Sequence, residues 1–161
     1  MEGNAKTSLV ISRILVTFGT LLIGLLVLAF VPFERGHKIG ANTSAAASSL
    51  RTIYLSSQVY AEKHPQQGYA RNLSELAGHP NAGGGEDALI DSVLASGQKV
   101  GYRFTYSSQS TKGDGQIDAF QVTAAPLVAG KTGTHHFFVD QTGVIRMSDV
   151  GPADSSGVPL Q

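Results

Sequence analysis

From Ile14 to Phe33 the chain runs ILVTFGTLLIGLLVLAFVPF without a charge, and only Thr17 and Thr20 carry a polar side chain. As a helix rising about 1.5 Å per residue, this block reaches about 30 Å, the thickness of a bilayer's hydrocarbon core. The pattern predicts a single transmembrane helix over 14–33. A cleaved secretory signal is the competing reading, but its apolar region is usually ~7–15 residues and closes on a small-residue cleavage site. Here the block ends on Pro32 and Phe33, followed by Glu34 and Arg35, and the first run of small residues, Ala45 to Ala47, comes too late. Anchoring is the stronger expectation.

Lys6 and Arg13 precede the block while Arg35 and Lys38 follow it, so the positive-inside balance is close to a tie. Most of the chain lies after the block, which favours residues 1–13 as a cytoplasmic tail and 34–161 as an exported domain. Gly19 and Gly24 are small enough to admit a neighbouring helix, but their spacing is not the four-residue repeat of a dimer motif.

The chain's 161 residues suffice for one modest domain beyond the anchor. Lys and Arg number 12, as do Asp and Glu, and a net charge of +0 lacks the basic footprint of a nucleic-acid binder. Charged residues make up 15%, below the roughly 25% of ordinary soluble domains. With no cysteine, disulfides, thiolate metal sites and cysteine nucleophiles are all excluded.

Beyond the block, periodicity predicts an α+β domain. Leu50, Ile53, Tyr54, Ser57 and Tyr60 approximate one face of an amphipathic helix over 41–64, continuing the anchor outward and ended by Pro65, with a turn at Gly68. Asn72 and Glu75 resemble a capping box opening a short helix over 72–78. A glycine-rich loop, Pro80 to Gly85, separates it from a second short helix over 86–96, whose Leu89, Ile90, Val93 and Leu94 form the apolar side. From Val100 the period changes to two. Tyr102, Phe104 and Tyr106 alternate with polar residues, Lys112 to Gly115 signals a hairpin, and strands follow over 118–124, 134–140 and 144–147. The expectation is a four-stranded antiparallel sheet over 100–148, covered by the long helix.

No constellation of catalytic residues emerges. Ala125 to Thr132, APLVAGKT, fits a relaxed phosphate-loop pattern, but the extended run His135 to Val139 follows where a helix must begin. His135 and His136 are adjacent and would point to opposite faces of a strand, while His37, His64 and His79 lack ligand spacing. Asp114 and Asp118 flank a glycine as in calcium loops without the full ligand series. Asp87 and Asp91 would share a helix face, yet their place in the first turns suits end-stabilisation better than acid–base work. Ser96 lacks the glycines of a nucleophile elbow. Tyr102, Phe104 and Tyr106 read as core residues sooner than as a base-stacking platform, since few basic residues lie near them. Tyr54, Tyr60 and Tyr69 likewise read as packing residues. The expected sets of catalytic, cofactor-binding and metal-ligating residues are empty, and no enzyme is expected.

Three stretches carry a resemblance: SLRTIYLSSQVYAEKHPQQGYARNLSEL (Ser49 to Leu76), LIDSVLASGQKVGYRFTY (Leu89 to Tyr106) and HHFFVDQTGVIRMSDVGPA (His135 to Ala153). The chain resembles bacterial type IV pilins and pseudopilins over roughly Ala41 to Ala153, most specifically at Asp140, Gly143, Val144, Ile145 and Arg146. The resemblance implies a filament subunit, or a minor component of a pilus or type II secretion-like machine, whose anchor helices bundle together. It also implies a bacterial inner-membrane protein with a periplasmic or extracellular domain. The expected partners are the lipid bilayer and like or related subunits, with no nucleic acid and no small-molecule ligand. Family members begin with a basic leader, a cleaved glycine and then Phe-Thr-Leu-Ile-Glu. The nearest segment here, Phe18 to Ile23, places Ile23 where that glutamate stands. The alternative expectation is therefore a membrane-tethered periplasmic binding or sensing domain that does not assemble.

Overall fold

Apolar and small residues recur at helical spacing from Ile39 onward, and in the computed structural model residues 37–63 form one helix, α1. The structure describes residues 37–78, 88–113 and 115–160. The chain divides into two units, Met1–Lys38 and Ile39–Gln161, of which the second carries the core and the sheet. The expected transmembrane helix at 14–33 lies outside the described residues, as does the Pro80 to Gly85 loop. Among the described residues no helix is long and apolar enough to cross a membrane.

Ala46, Leu50, Ile53, Ser57 and Tyr60 are buried along one stripe of α1. Four of its hydroxyls bond within the helix, while buried Ser56 donates instead to the Leu89 carbonyl at 2.9 Å. Thr43, Ser49, Thr52 and Ser57 each donate to the carbonyl four residues earlier, so a Ser/Thr-rich helix buries one side without stranding polar atoms. Pro65 has no N–H to continue the ladder, and the chain turns as the Gln67 and Gly68 amides both donate to the His64 carbonyl at 2.9 Å. Gly68, at φ +80°, bridges to Ile117 in the loop before the second long strand.

Two one-turn helices follow. In α2 (Leu73–Leu76) the Asn72 side chain caps the Glu75 amide at 3.0 Å, while the Glu75 carboxylate reaches back to the Arg71 amide at 2.8 Å. The reciprocal bond thus lands one residue upstream of the cap. In α3 (Ser92–Ala95) Asp91 is the cap, accepting from the Leu94 amide at 2.9 Å. The Leu76 carbonyl accepts from both Leu89 and Ile90, tying the end of α2 to the approach to α3.

The sheet has six antiparallel strands in sequential order: β1 (Gln98–Lys99), β2 (Tyr102–Gln109), β3 (Ala119–Pro126), β4 (His136–Asp140), β5 (Arg146–Ser148) and β6 (Val158–Pro159). This corrects the four-stranded sheet expected over 100–148. The two additional strands are two residues each, too short to show a period-two pattern. β1 is folded onto β2 by Val100 and Gly101, both at positive φ, as a two-residue hairpin with right-handed twist requires. β6 ends on Pro159, which cannot donate to a further strand and so suits a sheet edge. The expected helix over 86–96 is also shorter, because Asp91 takes the helix-start position and only Ser92–Ala95 is helical among its described residues.

Alternation sends Tyr102, Phe104, Phe120, Val122, Ala124, Phe137 and Val139 toward α1, where they join Leu50, Ile53, Leu73, Leu76 and Leu94 in one core. The opposite face of β2 and β3 is largely open, but on β4 Phe138 is only 5% exposed. The chain after β5 returns to the sheet at β6, its Ala153 is buried, and the Gly157 carbonyl accepts from Arg146 Nη1 at 3.1 Å.

Candidate functional site

The phosphate-loop-like segment 125–132 closes on itself. The Gly130 amide donates to Gly133, the Lys131 and Thr132 amides donate to the Val128 carbonyl, and the Val128 amide is held by Thr132 Oγ1 at 3.0 Å. These amides are taken, and the chain continues into β4 with no helix start to cradle a phosphate. Gly133 instead abuts the Tyr102 ring, whose hydroxyl donates to the His135 carbonyl at 3.1 Å.

The titratable candidates are dispersed. His64 stacks on Tyr60 with ring centroids 4.2 Å apart, His135 meets the Asp149 carboxylate, and His136 lies in β4 opposite Ser148. Asp118 holds the loop before β3 by accepting from the Thr111 amide at 2.7 Å and from its hydroxyl; these bonds keep its carboxyl below the usual range. Asp91 pairs with Lys99 at 2.6 Å; that contact, with the Leu94 amide behind it, lowers its carboxyl too. The Ser96 hydroxyl donates to Val93 at 2.6 Å. His79, Asp87 and Asp114 lie outside the described residues. Among the described residues no group of three His, Cys, Asp or Glu side chains comes together to hold a metal.

The aromatic row of β2 is core. Tyr102 and Phe104 are buried, and Tyr106 stacks on Phe120 at 5.5 Å with nearly parallel rings. Tyr69 meets the same Phe120 edge-on at 4.7 Å, and Tyr54 lies 6.4 Å from it. Burial pushes the Tyr106 hydroxyl up to about 12, with the Ser57 hydroxyl opposing the rise. In the unfolded chain this group ionises near 10.0. Because the folded value is higher, its stabilisation is complete below that pH and is lost as pH rises toward about 12. Phenolate absorbance and circular dichroism followed together are expected to show alkaline unfolding in this window, and Tyr106→Phe is expected to move the transition to higher pH. An unmoved transition would contradict the assignment.

Three surface features stand out among the described residues. The outward stripe of α1 carries Ala41, Ser44, Ser48, Thr52, Leu55 and Val59, interrupted by Arg51. Leu55 is 55% exposed and Val59 38%. An open cleft of about 340 Å³ lies between Asn72 to Ser74, the end of α3 and the edge of β2 at Phe104 to Tyr106. A narrower groove of about 240 Å³ crosses the face of β2, β3 and β4 away from α1. The sequence signals for these surfaces were faint. The α1 stripe is the complement of the Leu50/Ile53 face, but the groove joins strands and a C-terminal residue that no local pattern connects. Comparison of the chain with protein-family models, with curated proteins and with solved structures finds no match.

Proposed function

We propose that the protein is a membrane-anchored structural subunit of pilin type, or an accessory component, in a type IV pilus or type II secretion-like assembly. The observation that supports this reading is the outward stripe of α1. Its Ala, Ser and Thr side chains let a second helix approach closely, and exposed Leu55 and Val59 supply apolar knobs for ridge-into-groove packing. The uncharged block at 14–33 would hold the subunit in the membrane, and the resemblance of 41–153 to pilins, which pack helix against helix, supports the same reading.

The test is recovery of the protein in sheared surface filaments from its native membrane. Leu55→Arg is expected to reduce that recovery at least about tenfold, the equivalent of about 1.4 kcal/mol of lost association. Thermal unfolding should change by no more than about 0.5 kcal/mol, because an exposed side chain is replaced. Wild-type protein absent from filaments, or Leu55→Arg assembling normally, would refute the proposal. Ile23, standing where the family's glutamate would pair across subunits, favours a second reading: a tethered domain that never assembles. Membrane-extracted monomer that keeps Met1 would support it.

A further inference from the structure

Strand register brings three hydrogen-bonding side chains into one row across the sheet. Ser107 of β2 lies opposite Gln121 of β3, which lies opposite Asp140 of β4. Neighbouring strands stand about 4.8 Å apart, so the row presents polar tips at intervals comparable to the width of a pyranose ring. Gln109 extends the row along β2, and Ser155 walls it from the C-terminal segment. On the same face Phe138 and Ala119 supply the apolar part of the lining, 5% and 9% exposed. The volume of the groove is about 240 Å³.

The lining selects the ligand. Among the described residues lysine and arginine are absent from it and Asp140 is its one ionisable group, which disfavours phosphates, nucleic acids and acidic sugars. Asp140 Oδ1 is occupied by the Thr142 amide at 2.9 Å and by its hydroxyl. Among the described residues the side-chain amides of Gln109 and Gln121 make no hydrogen bond, so each offers both a donor and an acceptor. An apolar ligand would cover these amides without pairing them, at a penalty of about 1–3 kcal/mol per group. A ligand carrying hydroxyls around a compact ring pairs with all of them and sets its C–H surface against the apolar part of the lining. We propose that this groove binds a neutral saccharide of one or two rings. The proposal departs from the sequence expectation of no small-molecule ligand and does not depend on whether the subunit assembles.

The experiment is saturation-transfer NMR on the full chain in a zwitterionic, sugar-free detergent, with glucose, galactose, mannose, N-acetylglucosamine and maltose as separate probes at millimolar concentration. At least one probe is expected to receive magnetisation from the protein, and Gln121→Leu and Gln109→Leu are each expected to weaken its binding at least about tenfold. Both side chains are exposed, so thermal unfolding should be unchanged. Three results would overturn the proposal: none of the five probes binds, a probe binds both variants as it binds the parent, or sialic acid or an unrelated peptide binds in their place.

Discussion

Gly68→Ala is expected to destabilise the folded unit by at least about 3 kcal/mol, read as a fall in the urea midpoint. Two effects add. An L side chain at φ +80° costs about 1–2 kcal/mol. The new Cβ would also stand 2.0 Å from the Ile117 carbonyl oxygen, which is backbone and cannot swing aside. Relief of that overlap must separate the strand-like contact in which Tyr69 donates to Ile117 at 2.9 Å and Ile117 donates to Gln67 at 2.8 Å. Each lost bond contributes about 1 kcal/mol. Gly113→Ala is the control, since Gly113 has a similar φ of +72° with nothing within 4 Å of the added atom. It should lose only the conformational part. Equal losses in the two variants would show that the Gly68–Ile117 contact contributes nothing.

Phe137→Ala is expected to remove about 3–5 kcal/mol, a large share of the roughly 5–15 kcal/mol that stabilises a typical domain. Phe137 is 1% exposed, sits 6.1 Å from the Tyr102 ring between centroids, and faces α1 from the middle of the sheet. Its neighbours are held by β3 on one side and β5 on the other, which limits collapse into the vacated space. Leu55→Ala, at a 55% exposed position, should stay within about 0.5 kcal/mol. Chemical denaturation of both variants checks the contrast, and comparable losses would mean that the core is not where the burial pattern places it.

Parts of this fold are legible residue by residue. Leu50, Ile53, Ser57 and Tyr60 repeat at the helical period, and all four are buried along α1. Tyr102, Phe104 and Tyr106 alternate with polar residues, and the alternation specifies which side of β2 meets the helix. Asn72 and Asp91 are the residue types that cap helices, and both do so. Asp91 was less legible, because Leu89, Ile90, Val93 and Leu94 keep helical spacing through it, whereas the Leu89 and Ile90 amides are drawn to Leu76. A long-range bond there overrides a local pattern.

Local chemistry in the sequence thus determined the residue-scale choices: period, caps, turns and the four hydroxyls that bond back within α1, all of which involve neighbours within about one turn of chain. Only the tertiary structure decided the rest. Gly68 is required by a carbonyl from a distant loop, and β1 and β6 exist because a neighbouring strand offers unpaired backbone groups to residues too few to pattern themselves. Phe138, which alternation alone would leave facing water, is buried on the side of the sheet away from α1. The row Ser107, Gln121 and Asp140 likewise depends on register between three strands. A one-residue slip would reverse the side chains of the slipped strand and dismantle that row, and register is set by the whole packed face.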